Sequence, residues 1–440
     1  MSALRTLNRD GWTLFGTRFV RLFAYGALSV ILVFYLVSLG LTSSQTGVLL
    51  TATLVGDTLI SLYLTTRADR IGRRRMLMLG AALMGAAGLA FAITSNVWLL
   101  ILAGTIGVIS PSGGEVGPFL PIEQAALSHV VSGRDRTDVF AWYTLTGSLA
   151  TALGALTAGM TTRVLQQSAA MTPVASYRAI VMLYAALGML LAVLFSRISP
   201  AAEAIGLGER VRFQATLSHL SGLGPSRAVV FKLSSLFALD SFGGGFVVQS
   251  FAAYWFHLRF GVSPETLGTV FFAANILAGI SALLASRLAS RLGLLNTMVA
   301  THLPSNILLI LVPLMPDLRS AVLILLVRFS ISQMDVPTRQ SYVMAVVRPE
   351  ERSAAAGVTG VARTLGAALS PMLVGLLFAR PSLVNIPFFL AGALKITYDL
   401  LLYKAFSDLR PSHESPTGGS GILRAENEPL DRGWVIRRPS

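Results

Sequence analysis

Of 440 residues, 53% are hydrophobic and only 13% are charged, roughly half the charged share of a soluble domain. With a mean hydropathy of +0.67, that balance excludes a single soluble core. The formal charge of +14 invites a nucleic-acid reading, which the placement of the basic residues removes.

Apolar runs recur along the chain, at 14–39, 44–66, 75–95, 97–131, 138–161, 178–198, 229–256, 265–286, 295–315, 320–347, 354–379 and 383–405. Each is long enough to cross a ~30 Å hydrocarbon layer as a helix. The expected fold is therefore an all-α membrane protein of twelve spans. Met1 to Asp10 is polar and the first run too long for a signal peptide, so no cleavable leader is expected. With the N-terminus inside, 24 Arg and Lys flank the spans on that side, including Arg67, Arg70, Arg73, Arg74 and Arg75. The opposite loops hold Arg163, Arg178, Arg259, Arg319 and Arg380. That asymmetry predicts two cytoplasmic termini and accounts for the basic excess without nucleic acid.

The division expected is an N-terminal six-helix half over 1–198, a cytoplasmic linker over 199–228, a C-terminal half over 229–406 and a disordered tail over 407–440. The linker reading rests on Gly206, Gly208, Gly222, Gly224 and Pro225. The basic residues are 32 Arg against 3 Lys, a hint of a GC-rich bacterial source and so of the inner membrane. Zero cysteines exclude disulfides and thiolate chemistry. His129, His219, His257, His302 and His413 never fall in ligand spacing, so neither metal nor cofactor is expected.

The two halves repeat one another. Arg18-Phe19-Val20-Arg21-Leu22-Phe23-Ala24 returns 214 residues later as Lys232-Leu233-Ser234-Ser235-Leu236-Phe237-Ala238. Pro121-Ile122-Glu123-Gln124 returns after 216 as Pro337-Thr338-Arg339-Gln340. Ala68-Asp69-Arg70-Ile71-Gly72 returns as Ala289-Ser290-Arg291-Leu292-Gly293. Six plus six helices in parallel repeat is one construction of secondary transporters.

The run from Thr65 through Asp69, Arg70, Gly72 and Arg73 to Arg75 resembles the loop between spans two and three of the major facilitator superfamily. Thr65 stands where that family has glycine, and Ser290 replaces the acid in the second copy. The resemblance covers about residues 10–406. It implies two pseudo-symmetric bundles, a cavity lined by spans one, four, seven and ten, and a gating role for Asp69, Arg70, Gly72 and Arg73. A carboxylate facing a helix N-terminus beside arginines fits that role, since rocking of the halves breaks its contacts. Drug–proton antiporters of the family carry a Gly-Pro motif in span five; here Gly147, Gly154 and Gly159 occur without it.

Ionisable residues inside spans are costly and usually functional. They are Arg18, Arg21, Asp57, Glu123, Asp240, Arg328, Asp335, Arg339, Arg363, Lys395 and Asp399. Seven fall on the four expected cavity spans. Asp335 and Arg339 are four apart and expected to pair. Glu123 and Arg339 occupy equivalent positions with opposite sign, and are expected to meet across the axis as a gate or as a proton and substrate site. Lys395 and Asp399 read as a structural pair within span twelve. Pro111 to Pro118, containing Glu115, and Asp240 to Gly245 read as helix breaks, with Glu115 as a candidate substrate contact.

No Gly-x-x-x-x-Gly-Lys-Ser/Thr run is present. The resulting expectation is a non-enzymatic, proton-coupled exporter of small organic compounds. Its partners are a small-molecule substrate, protons and the lipid bilayer, and it works as a monomer. Glu123 is the first proton carrier, with Asp57 and Asp240 behind it. Two alternatives stand: transport of a small organic anion held by Arg18, Arg21 and Arg339, and a non-transporting sensor or scaffold.

Overall fold

The computed structural model describes residues 7–131, 136–199, 223–348 and 351–407, without the side chains of Asp69, His129, Val130, Arg136, Thr137, Asp138 and Ser353. The expected tail and most of the expected linker lie outside the described residues.

Twelve helical spans cross in alternation. Span one is Arg9–Ser38, two Ser43–Ile71, three Arg73–Ile93, five Arg136–Gln167 and six Pro173–Ser196. Span eight is Pro264–Leu292, nine Leu294–Leu311, eleven Arg352–Phe378 and twelve Ile386–Phe406. Three spans are interrupted: four (Val97–Ile106 and Phe119–Val130), seven (Arg227–Gly245 and Gln249–Phe260) and ten (Leu318–Phe329 and Asp335–Val346). Among the described residues ten stretches are long and apolar enough to cross a membrane; spans four and ten make up the rest from their paired pieces.

Five of the six helices that start at the end remote from the termini begin on side-chain caps; span twelve, after Asn385, does not. Thr42, Asn96, Thr172, Ser263 and Asp317 each accept from an amide of the first turn. These satisfy donors that the apolar slab would otherwise leave bare. Within each half the same device brings cavity helices close. A Cβ on Gly26 would lie 2.1 Å from Thr151 O, between spans one and five, and one on Gly366 would lie 2.4 Å from Ala238 O, between spans eleven and seven. Small residues that let backbones touch are a common basis of packing in lipid.

The halves join where spans one meets seven, two meets eleven and five meets eight. The bonds there are Gln249 Nε2 to Ser29 Oγ (2.8 Å), Met372 N to Thr51 Oγ1 (2.9 Å), Ser250 N to Pro111 O (3.1 Å) and the Arg163–Glu265 ion pair. Ser29, Thr51, Arg163 and Glu265 all lie in the part of their spans remote from the termini, so the halves are sealed at that end.

Candidate functional site

Span four unwinds over residues 107–118, as its prolines and glycines predict. The freed carbonyls are taken up by protein. Tyr184 donates to Val108 O (2.5 Å), Ser110 to Gly114 O (2.8 Å), Thr151 to Gly113 O (3.3 Å) and Tyr25 to Val116 O (3.3 Å). Gly113 and Gly117 turn at φ +70 and +79, where a side chain would be strained. The break is a fixed bracket that carries Glu115 into the N-terminal half.

There Glu115 meets arginines from span one. It pairs with Arg18 and accepts from Arg21 Nη2 at 3.2 Å. Glu123, on the second piece of span four, receives both Arg21 Nη atoms at 2.7 Å, Tyr143 OH at 2.5 Å and Thr17 Oγ1 at 3.0 Å. Arg21 and Glu123 are wholly buried, whereas the Glu115 side chain keeps 23% exposure. Glu123 and Arg339 therefore do not pair: Glu123 has its countercharge on its own half, and the halves join away from it.

Asp57, mid-way along span two, is buried with no cation beside it among the described residues. Its carboxylate lies against the backbone N–H of Gly117 in the bracket, and its Oδ1 has no hydrogen-bond partner.

In the C-terminal half the sign is reversed. Arg339 on span ten donates to Asp240 on span seven (2.9 Å) and lies 3.4 Å from Asp335, its expected partner one turn back. Lys395 does not pair with Asp399. It reaches across to Asp240 at 2.6 Å, while Asp399 takes His302 Nδ1 at 2.8 Å and Asn306 Nδ2 at 3.0 Å. Lys395 faces span seven, and Asp399, one turn on, meets span nine instead.

His302 is the residue that sequence spacing missed. Its Nε2 lies 3.6 Å from Asp240 and its Nδ1 on Asp399, so the ring bridges two carboxylates. Ligand atoms of Asp240, His302 and Asp335 lie within 4.8 Å of one another, a grouping that chain separation conceals. Lys395 and Arg339 already occupy Asp240, so a divalent cation there would have to displace them.

One expected break is corrected and one unexpected break is found. Asp240 to Gly245 is helical, and span seven is interrupted only over 246–248. Span ten, expected to be continuous, breaks over 330–334. Ser332 N turns back to Arg328 O (3.0 Å), and Gln333 N is caught by Ser281 Oγ of span eight (3.3 Å). The available signal was Ser330, whose hydroxyl takes Val327 O at 2.7 Å, since serine competes for backbone bonds.

At the loop between spans two and three, Gly72 takes φ +114, and its copy Gly293 takes φ +82. Arg73 is buried and Arg70 exposed; the side chain of Asp69 lies outside what is described. The span-five glycines serve packing: Gly154 against Phe23 O, Gly159 against Pro264 O and Gly147 against the Arg18 guanidinium.

A sequence model described as Major Facilitator Superfamily matches residues 14–371 and, overlapping, 241–436. An uncharacterized membrane protein of Saccharomyces cerevisiae, YJR124C, is 29% identical over 419 residues, covering 90% of this chain and 93% of that one. The quinolone resistance protein NorA of Staphylococcus aureus is 30% identical over 104 residues, 24% of this chain and 27% of NorA. Among solved structures, the nucleoside transporter NupG superposes with a TM-score of 0.69 at 14% identity, over 91% of this chain and 99% of NupG. The human organic anion transporter MFSD10 gives 0.61 at 18%, over 90% and 99%.

Proposed function

Since the chain belongs to the Major Facilitator Superfamily and is a membrane transporter rather than an enzyme, we propose that it is a proton-coupled secondary transporter that exports small organic compounds by alternating access. The observation that carries the coupling is Asp57, a buried acid without a cation, set against the bracket that positions Glu115. With no arginine to neutralise it, a proton can do so, and the bracket links its occupancy to the cavity wall. Glu123, the first candidate on sequence grounds, is the weaker carrier because both its oxygens are held by Arg21. The stretch shared with a quinolone resistance protein supports export, because export of a drug confers resistance.

With both termini cytoplasmic, as the basic loops indicate, the sealed end is the outer one and the cavity opens inward. Asp69, Arg70, Gly72 and Arg73 then sit at the opening, where they set the balance between states. An anion on Arg18 and Arg21 is disfavoured, since Glu115 and Glu123 already neutralise them.

The test is substrate-driven proton movement in proteoliposomes, read with a pH-sensitive dye and norfloxacin as probe. Asp57→Asn is expected to abolish it while leaving exchange of labelled norfloxacin; Glu123→Gln is expected to retain some coupling. Proton movement that survives Asp57→Asn would transfer the role to Glu123 or Asp240. Failure of every probe to move would favour the sensor reading.

A further inference from the structure

The C-terminal half holds more mid-span cation than its acids can neutralise. Its mid-span charges are Arg328, Arg339, Arg363 and Lys395 against Asp240, Asp335 and Asp399. Asp240 is used by Lys395 and Arg339, Asp335 by Arg339, and Asp399 by His302. Arg328 and Arg363 are left with no acid within ion-pair distance and no hydrogen-bond partner among the described residues. The Nε of each is buried and unsatisfied. The Arg328 guanidinium lies 5.2 Å from the centroid of the Phe329 ring.

Depth makes this costly. Arg328 lies ten residues into span ten and Arg363 eleven into span eleven, so each sits ~15 Å from its helix end at 1.5 Å per residue. That is the middle of a ~30 Å slab, beyond the headgroups at its faces. Both arginines lie within the field of Asp240 and Asp335, and Arg363 within that of Arg339. They therefore face the same cluster. Both side chains are half-buried, so each guanidinium keeps an open side at a depth where a lipid headgroup cannot supply an anion.

We propose that Arg328 and Arg363 form the binding site for the anionic group of the substrate, a small organic carboxylate. A planar fork of donors on each arginine matches a carboxylate's two oxygens. The N-terminal half offers nothing equivalent, because Arg18 and Arg21 already hold Glu115 and Glu123. This inference rests on the transporter reading and names its substrate class.

The test uses three probes of one shape and different charge: benzoate, benzamide and benzamidine. Thermal unfolding of the purified full chain in detergent is followed with each. Benzoate is expected to raise the midpoint by several degrees, since a ligand that binds only the folded state stabilises it; benzamide and benzamidine are not. Arg328→Gln and Arg363→Gln should each lose the benzoate shift at least tenfold in affinity. Arg328→Lys should keep part of it, and Arg259→Gln, on an exposed helix end, all of it. Because the two glutamine variants relieve an unpaired charge, they should melt no lower than wild type without ligand. No shift with benzoate, or a shift kept in Arg363→Gln and lost in Arg18→Gln, would overturn the assignment. Labelled benzoate flux separates the two readings. Binding without flux would sink transport and leave the site; flux of benzamide or benzamidine without benzoate would do the reverse.

Discussion

Spans one and four meet in the N-terminal half as spans seven and ten meet in the other, at positions related by the repeat, yet the charges are exchanged. On one side an acid of span four is gripped by an arginine of span one; on the other an arginine of span ten is gripped by an acid of span seven. The backbone scheme is shared, down to glycines that let spans one and five, or seven and eleven, touch. What differs is the remainder. The N-terminal half is left with a lone acid, Asp57, and the C-terminal half with two lone arginines. A duplicated scaffold can thus assign a proton to one half and an anion to the other without a new fold.

The sharpest way to break this comparison is to remove one guanidinium from each half. Arg21→Gln strands Glu123, wholly buried, with only Thr17 and Tyr143. Breaking a buried pair by losing one partner costs ~3–5 kcal/mol. Arg363→Gln removes a cation that has no partner and should cost nothing or stabilise. Thermal unfolding of the two variants side by side decides it. Equal losses would mean that Arg363 is compensated as fully as Arg21. The double change Arg21→Gln with Glu123→Gln should recover part of the first loss, as expected of contacting residues.

A smaller effect tests what the halves share. Gly72 and Gly293 hold φ +114 and +82 between consecutive helices, where an L side chain is strained by about 1–3 kcal/mol. Gly72→Ala and Gly293→Ala should lower stability alike, because the backbone device is the same. If Gly72→Ala also shifts the inward–outward balance, seen by cysteine labelling at either end, and Gly293→Ala does not, gating belongs to the first copy alone.

Much of the architecture was readable in the sequence, because a membrane span announces itself in composition and length. The break in span four was readable too, since Pro111, Gly113, Gly117 and Pro118 leave few alternatives. The break in span ten was not: it is held by Ser281 of another helix, whose hydroxyl accepts from the freed amide of Gln333. The charged residues themselves were found by scanning for costly groups, but their partners were not. Glu123 and Arg339 are equivalent in the repeat, and symmetry suggests a meeting, yet each finds its countercharge within its own half. Lys395 and Asp399 have helical spacing for a pair, yet each has a better partner on a neighbouring span. His302 looked peripheral because nothing in one helix shows that spans seven and twelve converge on it.

The smallest effect concerns how the linker ends are fastened, again differently in the two halves. In the N-terminal half Asp10 of span one accepts from Ser199 N at 3.0 Å. In the C-terminal half Glu351, ahead of span eleven, accepts from Gly224 N (2.9 Å) and Ser226 N (3.1 Å). The Ser226 hydroxyl and these amides hold the Glu351 carboxyl below the usual glutamate range. A carboxyl so lowered stabilises the fold above its unfolded value of about 4.3, and the contribution is lost as pH falls through the folded value. Glu351→Gln should therefore lower stability at pH 7 by about 1 kcal/mol, the size of a net hydrogen bond. The gap between wild type and variant should close as the pH is taken below 4. A gap that stays constant with pH would show that Glu351 acts through packing, and that its charge plays no part in fastening span seven to span eleven.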